Sequence, residues 1–592
     1  MTERSPRRLL RVDLGEETVE SEPVPEAWLR RYLGGKGLGA RYLYDELDAG
    51  VDPLGPENAL LFLLGPLSGL LPGESRYAAV TKSPLTGGFL DSYAGGQFPG
   101  ALAGALPEHV GVLVTGVAEE PVRLVVRDDD ATLEPAGTWG SDTAETAAAF
   151  PDAEVACIGP AGENRVAYAT IASDGGEHHA GRGGAGAVMG SKRLKAVVAH
   201  GDPPSGLAAL RESYAERFRE DATGRWLDAS GTVETVDFAD EVGALATRGW
   251  RDSEFEGSED VGVAAVRERA VGRERDEDTG QRGFHVDTDA GESVPRGATA
   301  MSLGAGLGID DFDAVAALGE TCNRLGVDLV SAGSAIAWAV RASVEGYVGR
   351  PLAFGDADDA REVLGEIARR ETDLGAALAD GVDAAAQRYG GEAFAPTVKA
   401  MELPAYDPRG AASMALAYAT SDRGACHRRA LPVEREVFDG EWSPERAARG
   451  VVAEQDRRSV LWSLVVDDFV GDVFDDLGAE WLDAAGVDYA GDLETLGERV
   501  WTLTRLFNVR EGVSRADDSL PAVLRGPPEA GGDADSGDAG GVDPERFEAM
   551  LDAYYERRGW SRADGRPTRE TVERLGLGGV VDDATPLGAP GD

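Results

Sequence analysis

The 592-residue sequence predicts an α+β fold in which a β-rich N-terminal domain, residues 1–205, precedes two mainly α-helical domains, 206–415 and 416–592. Two observations lead to this prediction. As far as Pro203 and Pro204, short apolar runs alternate with glycine-rich turns, which is typical of strands. Beyond them, apolar residues recur at intervals of three and four, which is typical of amphipathic helices. The length also suits several domains, since one domain usually holds roughly 100–200 residues.

Short runs of aliphatic and β-branched residues predict the strands of the first domain. The predicted strands are Leu9–Val12, Ala59–Leu64, Tyr77–Val80, Val110–Val114, Val122–Val126 and Val155–Ile158. The glycine-rich segments 34–39 and 95–100 are predicted to be turns between them.

Helical spacing predicts the elements of the second half. They are Ala208–Glu220, Val263–Arg269, Asp311–Leu325, Ala332–Glu345, Ala360–Glu371, Asp373–Tyr389, and a block that begins near Tyr418 and includes Leu493–Phe507. Gly272–Gly297 is charged and poor in apolar residues, which predicts an exposed loop. The Gly-, Asp- and Pro-rich stretch near 526–542 predicts a disordered insertion.

The composition indicates a folded protein with a very acidic surface. The chain carries 106 acidic against 58 basic residues, a net charge of -48, yet 42% of it is hydrophobic. Only five of the basic residues are lysines. We interpret this balance as adaptation to a salt-rich cytoplasm, because high ionic strength screens the repulsion between carboxylates. Such a surface repels phosphate backbones, so nucleic-acid binding is excluded.

The cysteines and the apolar runs indicate in which cellular compartment the protein is expected. Cys157, Cys322 and Cys426 are too few and too scattered to form a disulfide framework. The N-terminus lacks a long apolar segment, and no run of about 18 apolar residues is present to span a bilayer. The sequence therefore predicts a cytoplasmic protein without membrane association, and it leaves the oligomeric state open, a homo-oligomer included.

The densest motif is Gly-Arg-Gly-Gly-Ala-Gly-Ala-Val-Met-Gly-Ser-Lys at 181–192, followed by the strand-like run Leu194–Ala199. Glycine-rich backbone presents N–H groups to an anion, and Arg182 would add a charge-assisted hydrogen bond. The alternative is a tightly packed turn with no ligand. A nicotinamide-binding loop is disfavoured, because that motif needs a helix after the glycines, whereas here a strand is predicted.

Three further stretches each allow a functional and a structural interpretation. Residues 76–96 begin with the cation Arg76 and end in a turn of small residues. A hairpin with surface charge would show the same pattern. In Asn-Arg-Leu-Gly-Val-Asp at 323–328, Gly326 suits a left-handed helix cap, and Asp328 would accept hydrogen bonds from a heterocycle. Phe-Asn-Val-Arg-Glu-Gly at 507–512 is also typical of a helix C-terminus.

His427, in Gly-Ala-Cys-His-Arg-Arg at 424–429, is the candidate acid or base. A joint metal site with Cys426 is disfavoured, because adjacent side chains point apart in helices and strands. No residue is assigned as a metal ligand.

Together and in this order, these stretches resemble the tungsten-dependent aldehyde ferredoxin oxidoreductase family over most of the chain. The matching segments are 34–39, 81–88, 181–192, 307–311 and 507–512. The resemblance implies that the β-rich domain carries two pyranopterins and their tungsten or molybdenum, with the helical domains closing over them. It also implies Mg²⁺ at the pterin phosphates, a small aldehyde as substrate and ferredoxin or another electron acceptor as partner.

The resemblance assigns roles to particular residues. His427 would lie near the metal as the catalytic residue. The cofactor-binding residues would be Arg76, Tyr93, Gly95, Arg182, Gly183, Gly184, Asn323, Asp328 and Arg429.

The chain also departs from the family pattern. Family members hold a [4Fe-4S] cluster with a Cys-x-x-Cys-x-x-x-Cys run and a fourth Cys. Here the corresponding segment, Gly272–Gly297, has no cysteine, and Asp467 stands at the fourth position. Trp462 replaces a pterin-binding carboxylate, Tyr93 stands where Asn is usual, and Ala298 replaces a Glu near the metal.

Two hypotheses follow from the matches and the departures. The first is an oxidoreductase that converts an aldehyde to a carboxylic acid at a tungsten or molybdenum bispterin and passes electrons onward without the usual cluster. The second is a catalytically impaired paralogue that keeps the fold and the cofactor cradle as a binding or partner subunit.

Overall fold

The computed structural model describes residues 6–526 and 541–589, so the predicted insertion near 526–542 lies almost wholly outside the described residues. The first 200 residues form two six-stranded sheets, and the rest of the described chain is mainly helical. The predicted α+β class is confirmed.

The first sheet contains four of the six predicted strands and two further strands. Its strands are β1 (Arg8–Asp13), β2 (Thr18–Pro23), β3 (Leu60–Leu63), β4 (Tyr77–Lys82), β5 (Phe89–Ala94) and β6 (His109–Thr115). Their order is β2-β1-β6-β3-β4-β5, and β1 and β6 run parallel while the other neighbours are antiparallel. Strands β3 and β4 are buried along their whole length, which matches the apolar runs Leu60–Leu63 and Tyr77–Val80.

The second sheet packs against the first through a shared apolar core that includes Phe62, Val126 and Val197. Its strands are β7 (Val122–Arg127), β8 (Asp130–Pro135), β9 (Glu154–Cys157), β10 (Ile171–Ser173), β11 (His178–Ala180) and β12 (Leu194–His200). Their order is β11-β10-β9-β12-β7-β8.

Short helices connect the strands of both sheets. They are Glu26–Tyr32, Gly35–Glu46, Phe98–Ala105, Thr143–Ala148, Pro160–Glu163 and Ala185–Ser191.

The prediction of a turn at 34–39 is wrong, because these glycines begin the helix Gly35–Glu46. Close packing against the C-terminal region accounts for them. A Cβ at Gly35 would lie 2.2 Å from the carbonyl oxygen of Trp462, and one at Gly37 would lie 2.4 Å from that of Tyr32. Glycine permits this approach of two backbones.

The middle region contains the helices Ala208–Glu220, Ala222–Ser230, Glu234–Glu241, Ser258–Val261, Val263–Arg269, Gly297–Thr299, Phe312–Leu325, Leu329–Val344, Ala357–Arg369, Asp373–Leu378 and Val382–Tyr389. The first and the fifth have the predicted bounds. The single helix predicted over Asp373–Tyr389 is two helices, because Gly381 between them has φ +100°.

The exposed loop predicted for Gly272–Gly297 is also wrong. This segment belongs largely to an antiparallel sheet of β13 (Ala270–Asp276), β14 (Gly280–Thr288) and β15 (Gly291–Ser293). Phe284 and Val286 of β14 are buried against Val233 and Phe312. Two buried apolar residues at alternate positions thus anchor a sheet whose other residues are mostly polar.

The C-terminal region contains the helices Ser413–Thr420, Val433–Asp439, Pro444–Leu464, Ala479–Ala484, Leu493–Arg510, Pro544–Arg558 and Arg569–Arg574. A two-stranded hairpin, β16 (Thr397–Val398) with β17 (Met401–Glu402), precedes them. Within the described residues, none of the helices has the length and apolar character required to cross a bilayer.

Candidate active site

The loop between the helices Ser413–Thr420 and Val433–Asp439 carries His427, which lines a cavity of about 1470 Å³. This His427 cavity lies between the middle and C-terminal helical regions. Its inner wall includes Tyr406, whose ring centre is 5.6 Å from that of His427, and Met301 and Ser302 from a π-helical turn, Ala300–Gly304. Such turns are frequent at functional sites.

The surroundings of His427 favour its neutral form. Burial, together with the guanidinium groups of Arg428, Arg182 and Arg423, lowers its pKa well below the usual value of 6.5. Its Nδ1 atom is buried and has no hydrogen-bond partner among the described residues. A neutral imidazole with a free ring nitrogen can accept a proton from a bound molecule.

Three arginines place buried donors around the same loop. Arg182 Nη1 donates to the carbonyl of Ala425 at 3.1 Å, Arg423 Nη1 donates to that of Asp91 at 2.6 Å, and Arg429 Nε donates to Asp422 Oδ1 at 2.8 Å. Yet Nε of Arg423 and Nη1 of Arg429 are buried without a hydrogen-bond acceptor in the described chain, and Nε of Arg182 has only a long ion pair with Asp328, at 3.4 Å. Because orphaned buried donors are costly, these atoms favour an anionic group beside the loop.

The Cys426 thiol lies close to these positive charges. Arg423 Nη2 lies 3.0 Å from its Sγ. Burial raises the pKa of this thiol, but Arg423, Arg429 and Arg182 outweigh burial, and the net effect lowers the pKa.

A buried ion-pair network holds the loop against the first sheet. Asp91 of β5 and Asp422 both pair with Arg429 and with Lys36, and the Lys36 Nζ–Asp91 Oδ2 distance is 3.4 Å. Tyr93 joins the network by donating its hydroxyl to Asp91 Oδ2 at 2.6 Å. Lys36, Asp91, Asp422 and Arg429 are almost completely buried. The network therefore links the β-rich region to the segment that carries His427.

Sequence reasoning singled out Arg429 but missed Lys36, Asp91 and Asp422. Lys36 could have been identified, since it is one of only five lysines and lies within the glycine-rich segment 34–39 that resembles the family. A partner 386 positions away cannot be identified from the spacing of residues along the chain.

Arg76, Tyr93 and Gly95 line a second cavity of about 1150 Å³, the Arg76 cavity. It adjoins the His427 cavity, since both are lined by Arg296, Arg428 and Asp468. Arg76 Nη2 lies 3.1 Å from a carboxylate oxygen of Glu74 and its Nη1 lies 3.8 Å from Asp468. The Glu74 carboxylate also packs on Gly95, where a Cβ would be 2.1 Å from its Cδ.

Tyr93 and Trp462, two residues that depart from the family pattern, contact each other. Their rings stack with centres 5.5 Å apart at 26°, and Trp462 Nε1 donates to Asp468 Oδ1 at 2.7 Å. The Arg429 guanidinium lies 4.3 Å from the Trp462 ring centre. Stacking and a cation–π contact therefore hold Tyr93, Trp462 and Arg429 together.

The glycine-rich motif forms a turn and then a helix before β12. Gly183 and Gly184 both have φ +88°, and the helix Ala185–Ser191 follows. A Cβ at Gly183 would lie 2.5 Å from the Leu90 side chain, and one at Gly184 would lie 2.1 Å from the Ala167 carbonyl oxygen. Protein packing alone thus requires both glycines, and neither of them lines the two cavities.

The sequence predicted that the glycines lead straight into a strand, but the helix Ala185–Ser191 lies between them and β12. Sheet topology excludes a nicotinamide site instead. Strand β11 is an edge strand antiparallel to β10, and β12 pairs antiparallel with β9. A dinucleotide-binding unit needs parallel strands joined across the helix.

Asp328 lies beside Arg182, whereas Asn323 points elsewhere. Asp328 Oδ2 is 3.4 Å from Arg182 Nε and also caps the helix Leu329–Val344 through Ser331 N at 3.1 Å. Asn323 donates from Nδ2 to Glu320 Oε2 at 3.3 Å and lines neither cavity. Gly326, with φ +71°, forms the predicted left-handed cap.

The residues present do not fit an iron–sulfur cluster. Asp467 Oδ2 accepts from Arg282 Nη2 at 2.7 Å and from Glu74 N at 3.2 Å, and Oδ1 accepts from Phe469 N at 2.9 Å. Burial raises the pKa of Cys157 to about 12 and that of Cys322 further, so both remain protonated thiols. Ala298 lines the His427 cavity, with a methyl group where the family pattern has a carboxylate.

Two family models match most of the chain. The model described as aldehyde ferredoxin oxidoreductase, N-terminal domain, matches residues 9–201, and that of domains 2 and 3 matches residues 209–577. The chain is 32% identical to the tungsten-containing aldehyde ferredoxin oxidoreductase of Pyrococcus abyssi, over 96% of this chain and 98% of that protein. It is 33% identical to that of Thermococcus kodakarensis, with the same coverage.

One solved structure shows the same fold. It is described as the active site complex BamBC of benzoyl coenzyme A reductase in complex with 1,5-dienoyl-CoA. The TM-score is 0.81 at 24% identity, with 98% of each chain covered.

Proposed function

The chain belongs to the aldehyde ferredoxin oxidoreductase family, and on this premise we propose that it oxidises an aldehyde to a carboxylic acid at a tungsten or molybdenum bispterin. The supporting observation is the set of buried guanidinium donors beside His427, of which Arg423 Nε and Arg429 Nη1 have no partner in the described chain and Arg182 Nε has only a long ion pair with Asp328. An anionic cofactor would satisfy these donors, so the residues present fit the group.

The cofactor would be held from several sides. Arg182, Arg429 and Asp328 would contact it near His427, and Arg76 with the turn Tyr93–Gly95 would contact it from the Arg76 cavity. We further propose that the turn Arg182–Gly184 lies at the pterin phosphates with Mg²⁺, with Arg182 making the contact, whereas Asn323 stays hydrogen-bonded to Glu320. When bound, the metal would supply the capacity to accept two electrons.

The overall reaction is RCHO + H₂O → RCOOH + 2 e⁻ + 2 H⁺. The His427 imidazole, neutral and with Nδ1 free, would take one proton as the hydrated carbonyl carbon loses its hydrogen. Tyr406 packs on the ring and holds its orientation. His427 is half-buried between the two helical regions, and its Nδ1 atom is shielded from solvent.

A second candidate is the impaired paralogue that keeps the fold as a binding or partner subunit. The Arg282–Asp467 pair favours it, because electrons have no cluster through which to leave. In the enzyme, ferredoxin or another acceptor would have to take electrons directly or through a partner subunit. We also propose a cytoplasmic location in a salt-rich cell, on the basis of the net charge of -48.

Expression in a host that makes the metal–pterin cofactor separates the two candidates. Tungsten, molybdenum and iron are measured in the purified protein, together with aldehyde-dependent reduction of a viologen dye. Tungsten or molybdenum with dye reduction, and iron far below that of one cluster, would support the enzyme. Metal without turnover would favour the second candidate, and protein free of both metals would overturn the enzyme proposal.

A further inference from the structure

Three side chains that commonly bind metals meet on the wall of the Arg76 cavity, and none of them lines the His427 cavity. Glu177 and His178 lie at the start of β11, and Glu274 lies on β13. One ring nitrogen of His178 and one carboxylate oxygen of each glutamate all lie within 4.8 Å of one another. Among the residues that the structure describes, this is the one set of His, Cys, Asp or Glu side chains arranged so closely for a metal ion.

The His178 ring is held in the orientation that a metal ligand needs. Its Nδ1 atom lies 2.8 Å from Glu74 Oε1, so Nε2 is the nitrogen that remains available. Histidines that bind metals almost always pair their other nitrogen with a carboxylate, a backbone carbonyl or a water, which fixes the ring and makes the metal-binding nitrogen more basic. Glu74 therefore has the position of such a supporting carboxylate.

Glu274 is also fixed in place, whereas Glu177 is free to bind. Arg296 Nη1 and Nη2 each lie 2.7 Å from a different oxygen of Glu274, and Gly283 N donates to Oε2 at 2.9 Å. Because an ionised carboxylate offers about four lone pairs, these three hydrogen bonds leave one for a cation. Glu177 is exposed, and no hydrogen bond or ion pair of the described chain engages its carboxylate.

A buried oxygen beside the His178 ring indicates a further group at this place. Asp174 Oδ2 accepts from Gln97 N at 2.7 Å, but Oδ1 is buried without a hydrogen-bond partner in the described chain. Asp174 and His178 are neighbours, since a Cβ at Gly96 would lie within 3.0 Å of both side chains. A water molecule on a bound cation would donate the missing hydrogen bond.

The charge and the donor atoms favour one kind of cation. Nine carboxylates line the Arg76 cavity against six guanidinium groups, so its wall attracts positive ions. One imidazole and two carboxylates leave a fourth position for water, which suits tetrahedral Zn²⁺. Mg²⁺ prefers an octahedron of oxygen ligands, and the affinity of a mixed nitrogen and oxygen site is higher for Zn²⁺ than for Mn²⁺.

We propose that Glu177, His178 and Glu274 bind one Zn²⁺ ion, with Glu74 orienting the imidazole. The ion would join β11 of the second sheet to β13 of the middle region. Glu274 lies in the segment that corresponds to the family's cysteine run, yet none of the three ligands is a thiolate. The ion would stabilise the structure without carrying electrons, because Zn²⁺ has no redox chemistry. The inference goes beyond the proposed reaction and does not rest on it.

The test is Zn²⁺ binding to the purified full chain after chelator treatment, measured by calorimetry in concentrated KCl, which screens surface carboxylates. We expect one Zn²⁺ per chain, bound at least about 100-fold more tightly than Mg²⁺. Glu177→Gln and His178→Gln should each weaken binding about 100-fold or more, and Glu74→Gln about tenfold. His285→Gln is the matched control, because His285 also lines this cavity and lies 3.0 Å from a carboxylate, that of Glu292.

Zn²⁺ should also raise the thermal unfolding midpoint of the wild type and of His285→Gln, and leave that of Glu177→Gln unchanged. Since Glu177 is exposed, its substitution leaves the fold intact. Absence of a one-to-one site, or equal binding by the wild type and Glu177→Gln, would overturn the proposal. Equal weakening by His285→Gln and Glu177→Gln would also overturn it. The test needs neither aldehyde nor bispterin, so a failure of aldehyde oxidation would leave a positive result standing.

Discussion

Arg282 Nη2 lies 2.7 Å from Asp467 Oδ2, and the Asp467 side chain is fully buried. Asp467 stands where the family resemblance expects a cysteine ligand of an iron–sulfur cluster. Arg282 comes from β14, in the segment that should carry the other ligands. A buried salt bridge therefore links two segments that are distant in the sequence.

Arg282→Met should lower the free energy of unfolding by about 3 kcal/mol, because it leaves the buried carboxylate of Asp467 without its partner. Denaturant unfolding in concentrated KCl measures this. Arg217→Met is the matched control, since its pair with Asp475 is exposed and should contribute less than about 1 kcal/mol. Equal losses in the two variants would contradict the structural role of Arg282.

His178 should stabilise the protein mainly at acidic pH. Burial lowers its pKa, but Glu74 Oε1, 2.8 Å from Nδ1, outweighs burial and raises the pKa above 6.5. A histidine with a raised folded-state pKa stabilises fully below the unfolded-state pKa of about 6.5, and the contribution is lost as pH rises through the folded-state value.

The stability difference between wild type and His178→Gln should therefore be larger at about pH 5.5 than at about pH 9. Unfolding curves at the two pH values measure it. In a Glu74→Gln background the pH dependence should shrink. An equal stability difference between wild type and His178→Gln at both pH values would show that the His178–Glu74 ion pair does not stabilise the protein.

His427→Gln should lower kcat/KM for aldehyde oxidation about 10²–10⁴-fold, the usual contribution of a positioned base. Metal content should stay at the wild-type level, because the arginine donors remain. Since the pKa of His427 lies well below 6.5, the wild-type rate should not fall between about pH 8 and pH 6.5 through protonation of this residue. A variant with full activity would remove His427 from the mechanism.

Gly184→Ala should destabilise the chain strongly. The residue has φ +88°, and a Cβ would meet the Ala167 carbonyl oxygen at 2.1 Å, so backbone strain and a clash add up. We expect a loss of more than about 2 kcal/mol. Gly175→Ala is the control, because Gly175 has φ +70° but open space around its Cβ, and it should lose only about 1 kcal/mol.

Molar KCl should raise the thermal unfolding midpoint. The chain carries 106 acidic against 58 basic residues, and screening relieves the repulsion between exposed carboxylates. Scanning calorimetry from about 0.2 M to about 3 M KCl at fixed pH measures the effect. An unchanged or lower midpoint at high salt would contradict the adaptation to a salt-rich cytoplasm.

Local patterns identified much of the fold. The helices Ala208–Glu220 and Val263–Arg269 have the predicted bounds, and the predicted strands of the first domain are present. These elements follow from apolar spacing within a few residues of each other. The sheet at β13–β15 was missed because most of its residues are polar and only pairing between strands organises them.

The sequence by itself determined the fold class, the order of the family landmarks, the acidic surface and the absence of cluster cysteines. These features depend on composition and on spacing along the chain, and not on contacts in space. Only the tertiary structure decided which charges meet. Lys36, Asp91, Asp422 and Arg429 form one network, and Arg282 reaches Asp467, across separations of up to 386 positions along the chain. Ion pairing and cavity shape depend on distances in space, which residue order does not encode directly.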